Sequence, residues 1–167
     1  IYHEHVFYFS LIALQNLFHK ANLDIYDVEF VNTQGGSLRI YLCHKGVFPI
    51  SKSVKLLQNK ELKAAYNRLD SYKKIKTNVE KMKMELLSVL NTLKKKNKSI
   101  AAYCAPAKGN IFLNYMGIDK NYLDFIVDKA PEKQGLFTPG TQMIVETPDE
   151  IYNKRPDYLL ILCWNIA

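Results

Sequence analysis

Residues 99–110 read SIAAYCAPAKGN, a short apolar run that ends in a turn of small residues. Apolar side chains then recur at helical spacing between Ile111 and Met116. Strand, tight turn and helix in this order are typical of the phosphate-cradling units of mononucleotide-binding folds. The stretch therefore predicts the first βα unit of an α/β domain.

Further apolar strands follow this unit and alternate with short helices. We predict strands at residues 123–127, about 142–145 and 158–163, with a helix at 148–153. Continuous apolar strands separated by helices indicate a parallel sheet that is covered on both faces. The predicted fold class is α/β, a Rossmann-like three-layer domain with a mostly parallel sheet.

A helix and an antiparallel strand pair are predicted near the start of the chain. Ser10 is a candidate N-cap for a helix with apolar residues on one side, and Asn22 can close this helix. Two alternating strands, at residues 25–30 and 37–43, are joined by a turn that contains Gly35-Gly36.

Two helices, broken near Asp70-Ser71, are predicted between residues 52 and 98. The predicted organisation has three parts. These are a helix and strand pair at 1–46, a helical connector at 47–98, and a Rossmann-like domain at 99–167.

The net charge of +7 is concentrated in one segment. Residues 45–98 hold 15 Lys and Arg against 4 Asp and Glu, and an apolar stripe from Ile75 to Leu93 runs through the second helix. A lysine-rich helix with few arginines and no interleaved aromatic residues favours a solvated face over nucleic-acid binding. A basic helical interaction protein remains one alternative function, and no nucleic-acid partner is predicted.

Composition also bounds the class of protein. At 48% hydrophobic residues the chain can bury a core, and no apolar stretch approaches the roughly 20 residues that cross a bilayer. We predict no membrane partner and a cytoplasmic location.

The three cysteines, Cys43, Cys104 and Cys163, each lie in an apolar run, which favours buried reduced thiols over disulfides or a zinc site.

The turn at residues 105–110 supports two interpretations. It lacks the three glycines of a dinucleotide fingerprint and the ending of a P-loop, so it can be a tight structural connection. In the functional interpretation, Lys108 supplies a charge, Gly109 permits close backbone approach and the helix N-terminus offers N–H groups to an anion. Asp128, about 20 residues further on, either binds a ribose or caps the following turn. A stand-alone Rossmann-like module that binds a nucleotide or coenzyme through Lys108, Gly109 and Asp128 is therefore a second alternative function.

The chain opens at Ile1 without an initiator methionine and continues with Tyr2-His3-Glu4-His5. Titratable residues directly before an apolar helix indicate a segment cut from a longer protein. We interpret these four residues as half of a functional site. By itself, His3-Glu4-His5 fits a surface pair or a weak metal site. His19 and His44 are expected to face solvent.

A set of ordered motifs spans essentially the whole chain. They are YHEH at 2–5, YFS at 8–10, GGSLR at 35–39, APAKGN at 105–110, LNY at 113–115, VD at 127–128, KQG at 133–135, PGT at 139–141 and WN at 164–165. This pattern resembles the C-terminal region of the S-adenosylmethionine-dependent sugar C-methyltransferases of deoxysugar biosynthesis.

The resemblance implies an enzyme that methylates a carbon next to the ketone of a nucleotide-linked deoxysugar. In that family a zinc-binding segment precedes a methyltransferase domain, and the keto sugar lies between this domain and a second Rossmann-like domain. S-adenosylmethionine is then bound mainly by an upstream domain that this chain lacks. Zinc belongs to a missing N-terminal segment, and no metal is expected in the chain itself. The fragment alone is expected to be inactive.

Site residues are also implied by the resemblance. His5 matches the base that removes the acidic proton, Glu4 its orienting partner, and Tyr2 the donor that stabilises the enolate; an imidazole and a phenol suit these roles. The substrate-binding residues are then Lys108, Gly109, Asn110 and Asp128.

One position departs from the family pattern, which usually has glycine where this chain has Cys104. A side chain there is expected to narrow the space for a phosphate and to block a positive φ. This argues against nucleotide binding by the loop. A nucleophilic role for Cys104 is disfavoured, because it ends a buried strand and no histidine follows it.

Overall fold

The computed structural model describes residues 5–33 and 35–164. Its contacts group into two compact units, one that ends at Val79 and one that begins at Glu80. This division falls inside a long helix, whereas the predicted boundaries after residues 46 and 98 remain predictions. No helix in the described ranges is long and apolar enough to cross a membrane.

The first unit begins with the predicted helix and strand pair. Helix α1, Leu11–Lys20, is capped by Ser10, whose hydroxyl accepts a hydrogen bond from the Ala13 N–H at 3.2 Å. Strands β1, Leu23–Val31, and β2, Ser37–His44, pair antiparallel, with an irregularity between Ile25 and Asp27. The predicted cap and the antiparallel pairing are confirmed.

Two helices follow, α2 at Lys52–Lys63 and α3 at Leu69–Lys95. The break therefore lies several residues before the predicted position near Asp70. The chain leaves α2 through Ala65, whose φ is +56°, and the Tyr66 N–H donates to the Glu61 carbonyl at 3.0 Å. This is the hydrogen bonding of a Schellman motif, with alanine where glycine is usual. The usual glycine signal for a helix end is therefore missing from the sequence.

A buried carboxylate links α1 to α2. The Glu61 side chain accepts hydrogen bonds from the backbone N–H groups of Leu11 at 2.8 Å and Ile12 at 2.9 Å. These N–H groups belong to the first turn of α1 and have no acceptor within the helix. Beside this contact, Leu11 and Val54 are buried in a small apolar core.

The second unit contains a four-stranded parallel sheet. Its elements are β3 at Ile100–Tyr103, α4 at Ala107–Met116, β4 at Phe125–Val127, a 3₁₀ turn at Pro131–Lys133, β5 at Val145–Glu146, α5 at Glu150–Lys154 and β6 at Tyr158–Ile161. The strand order is β5-β4-β3-β6, with every neighbouring pair parallel. The predicted Rossmann-like α/β class is confirmed.

Both faces of this sheet are covered. Ile100 and Ala102 belong to the main core with Leu113 of α4 and Leu90 of α3. Ala101 lies on the other face in a smaller cluster, against which Ile151 of α5 packs. Because successive strand residues point to opposite faces, the short run of β3 serves both layers.

Candidate functional site

A crevice opens at the carboxyl ends of the parallel strands. From β3 the chain runs to β4 and β5 on one side, then returns to place β6 on the other side of β3. Ligands of open α/β sheets bind outside the strand ends at such a reversal of strand order. The crevice has a volume of about 690 Å³. It is lined by Tyr103, Cys104, Pro106, Asp128, Lys129, Ala130, Lys133, Ile161 and Cys163.

Cys104 occupies the first position after β3. Its φ is +71°, so the expectation that a side chain would block a positive φ here is wrong. Hydrogen bonds hold the backbone in this conformation, since the Cys104 N–H donates to the Val127 carbonyl at 2.8 Å and the Ala105 N–H donates to Asp128 at 2.7 Å. A non-glycine residue in this region costs about 1–3 kcal/mol, which the surrounding structure must offset.

Asp128 is a buried carboxylate that organises the loops at the crevice. One oxygen accepts from the Ala105 N–H at 2.7 Å and from Lys133 Nζ at 3.0 Å, and the other accepts from the Ala130 N–H at 2.9 Å. Burial alone would raise the pKa of the Asp128 carboxyl, but these donors and the Lys133 charge together lower the pKa below its ordinary value. Asp128 therefore caps the turn that follows it, while contact with a ribose remains a prediction.

Gly109 lies in the first turn of α4, where it packs against the end of β6. A Cβ atom at this position would lie 3.0 Å from Leu162 Cβ and 3.0 Å from Pro106 Cδ. The missing side chain therefore allows close packing of helix on strand, which is one of the roles of glycine in nucleotide-binding units.

Lys108 and Asn110 flank Gly109 at the helix N-terminus. Lys108 Nζ lies 5.1 Å from the centroid of the Trp164 ring, within the range of a cation–π contact. Asn110 Oδ1 is buried and has no hydrogen-bond partner within the described ranges. Pro106 is the N-cap of α4 and provides no side-chain cap, so this helix end presents N–H groups with no acceptor in the helix.

The predicted catalytic residues are described only in part. His5 is exposed and its ring stacks on Tyr8 with 5.5 Å between the centroids. Tyr2 and Glu4 lie outside the described residues. The four predicted substrate-binding residues all belong to the second unit, where Lys108, Gly109 and Asn110 follow β3 and Asp128 follows β4.

Sequence reasoning missed Lys129, Lys133 and Cys163 as lining residues of the crevice. Cys163 is the last residue of a predicted strand and Lys129 comes shortly after another. The carboxyl ends of parallel strands lie at one edge of the sheet, so the pattern held a usable signal for both. Lys133 carried no such signal, because its position depends on the fold of residues 128–133.

The cysteines differ from the expectation of three buried thiols. All three are free, as expected, but Cys43 and Cys104 are half-buried and Cys163 alone is buried. Burial, followed by the hydrogen bond to the Cys163 thiol, raises the pKa of the Cys104 thiol to about 12.

His19 and His44 are exposed as predicted. Within residues 5–33 and 35–164, no group of three or more His, Cys, Asp or Glu is arranged to hold a metal ion.

Comparison with known proteins places this architecture in a family. A family model described as the C-methyltransferase C-terminal domain matches residues 32–167. The chain is also similar to C-methyltransferase NovU of Streptomyces niveus, with 27% identity over 168 residues, which covers 100% of this chain and 40% of that protein. The chain thus spans less than half the length of this relative. It belongs to the C-methyltransferase C-terminal domain family.

Proposed function

We propose that this chain is the C-terminal part of a methyltransferase that acts on a carbon next to the ketone of a nucleotide-linked deoxysugar. The observation that carries the proposal is the crevice at the reversal of strand order, within a domain of the C-methyltransferase C-terminal family. In this proposal the second unit binds the nucleotide sugar, and residues 2–5 supply the acid/base groups.

The nucleotide part of the substrate would be bound by the positive groups at the crevice. Lys129 and Lys133 line it, and the uncapped N-terminus of α4 with Lys108 follows the same strand end. A diphosphate suits such a site, because a helix N-terminus and ammonium groups both stabilise negative charge. Asp128 would then act by holding the loops that carry Ala105 and Lys133. The hydrogen bonds that its carboxylate accepts from the Ala105 N–H and from Lys133 Nζ support this role.

The chemical step would use the motif at the start of the chain. His5 removes the acidic proton next to the ketone, Glu4 orients the imidazole, and Tyr2 donates a hydrogen bond to the enolate oxygen. S-adenosylmethionine, when bound, supplies the electrophilic methyl group. The exposed position of His5 is compatible with transfer of a proton to and from a substrate.

A nucleoside-diphosphate titration tests the binding part of this proposal. At low salt, Lys108→Ala should raise the Kd by about 10-fold or more, as expected for a lost charge-assisted hydrogen bond worth roughly 1.5–3 kcal/mol. The melting temperature should hardly change.

Lys120→Ala is the matched control. Lys120 is exposed and lies between α4 and β4, so it precedes the amino end of the next strand. Its removal changes the net charge equally and should leave the Kd unchanged. Equal affinities of wild type and Lys108→Ala would reject the phosphate role. A large loss of stability without a binding defect would make the lysine structural.

A further inference from the structure

Two cysteines meet at the crevice although they are far apart in the sequence. Cys104 directly follows β3 and Cys163 lies just beyond β6. These strands are neighbours, with Tyr103 paired to Ile161, and the Leu162 N–H continues the pairing by donating to the Tyr103 carbonyl at 3.0 Å. The pairing therefore brings both cysteines to the same edge of the sheet.

The two side chains are neighbours in the wall of the crevice. Both line the same cavity, and the Cys163 thiol is near enough to contribute to the raised pKa of Cys104. Because Tyr103 is paired to Ile161, Cys104 lies opposite Leu162 and Cys163 lies one residue further along its strand. With strands about 4.8 Å apart and a rise of about 3.3 Å per residue, the diagonal separation is about 5.8 Å, inside the range of about 4.4–6.8 Å between the Cα atoms of a disulfide. A bond between the two sulfurs therefore needs little movement of the backbone.

We propose that Cys104 and Cys163 form a dithiol modification site, which a small two-electron oxidant such as hydrogen peroxide converts into a reversible disulfide. In the first step peroxide oxygen is transferred to one sulfur, which becomes a sulfenic acid while one water is released. The other thiol then attacks that sulfur, the S–S bond forms, and the hydroxyl leaves with the thiol proton as a second water. Two thiols and one peroxide thus give one disulfide and two waters.

The environment of the pair sets the rate of this reaction. The raised pKa of Cys104, about 12, keeps this thiol protonated near neutral pH. Since the thiolate is the reactive form, oxidation should be slow at neutral pH and faster in alkaline solution. The disulfide would replace two thiol side chains in the crevice wall by one bridge, so oxidation changes the surface that a ligand meets.

The test treats the full chain with hydrogen peroxide under native conditions at rising pH. We expect the intact mass to fall by two hydrogens and the number of titratable thiols to fall from the three present to one. Digestion without reductant should yield a peptide pair that links Cys104 to Cys163, and dithiothreitol should restore all thiols.

Three variants sharpen the result. Cys43→Ser, on β2, should still lose two hydrogens. The variants Cys104→Gly and Cys163→Ala should not lose these two hydrogens, because each lacks one of the two thiols. Glycine is chosen at position 104 because it suits the positive φ there. The proposal is overturned if all three thiols persist, if the linked peptides contain Cys43, or if the products are sulfinic acids or disulfide-linked dimers. Peptide mapping of the wild type decides the outcome even if a variant folds poorly.

Discussion

The Asp128 carboxylate receives hydrogen bonds from two backbone N–H groups and one ammonium. Its substitution by asparagine keeps the size but removes the charge, and the amide NH₂ cannot accept a hydrogen bond from Ala105 or Ala130. We expect Asp128→Asn to lower the free energy of unfolding by about 1–3 kcal/mol, the cost of a buried unsatisfied group. Urea unfolding monitored by circular dichroism measures this.

The pH dependence of stability gives an independent check on Asp128. Its pKa is lowered in the folded protein, so its contribution is complete above the unfolded value of about 3.9 and is lost as pH falls through the folded pKa. The stability difference between wild type and Asp128→Asn should shrink below about pH 4. Asp149→Asn serves as a control, because Asp149 is exposed and its side chain makes no cap hydrogen bond. A constant difference down to low pH would contradict this account.

At the scale of elements, α1 depends on a side chain from α2. Glu61→Ala removes the acceptors of the Leu11 and Ile12 N–H groups, which lie at a buried helix start. We expect a loss of about 2 kcal/mol or more, since two helix N–H groups lose their partners. Thermal unfolding should show this loss of stability. Lys60→Ala, on the exposed face of α2, is the control and should hardly change the melting temperature. A Glu61→Ala protein as stable as the control would show that water replaces the carboxylate.

A second contact between elements joins α4 to the loop at residues 138–143. Asn114 Nδ2 donates to the Asn110 carbonyl at 2.7 Å and to the Pro139 carbonyl at 2.9 Å. A Cβ atom on Gly140 would lie 1.9 Å from Asn114 Oδ1. Gly140→Ala should therefore disturb both hydrogen bonds and also strain a φ of +80°.

Gly117→Ala isolates the second of these effects. Gly117 has a φ of +73° but nothing within 4 Å of a Cβ atom, so its substitution adds backbone strain alone. We expect Gly140→Ala to destabilise the protein by about 1–2 kcal/mol more than Gly117→Ala does, as the lost hydrogen bonds imply. Equal melting temperatures of the two variants would exclude a role for the Asn114 contact.

At the scale of the whole molecule, the proposed enzyme needs a methyl donor that this chain is expected not to hold. The chain covers 40% of C-methyltransferase NovU, and we propose that residues outside it form most of the donor pocket. Calorimetry of the chain with S-adenosylmethionine should therefore give no binding heat at micromolar concentration. A micromolar Kd, near −8 kcal/mol, would contradict this expectation. A nucleoside diphosphate, titrated into the same chain, serves as the comparison ligand, for which the proposed function predicts binding.

Much of the architecture could be predicted because its signals are local. The Ser10 cap, the alternation of β1 and β2, and the apolar run of β3 each report the environment of their own segment. The end of α2 could not be predicted in this way, because Ala65 takes a conformation that its side chain disfavours. For the same reason the positive φ of Cys104 could not be read from its residue type.

The sequence by itself determined a parallel α/β domain, the small-residue turn that opens it and the charged helices before it. Only the tertiary structure decided which distant groups meet. Asp128 reaches Ala105 across 23 residues and Glu61 reaches Leu11 across 50. Cys163 lies at the same sheet edge as Cys104 because β6 returns beside β3. Periodicity reports which side of a segment is buried, but the strand order depends on how all segments cover one another's apolar faces. The loop conformations that bring side chains to the crevice follow from that order.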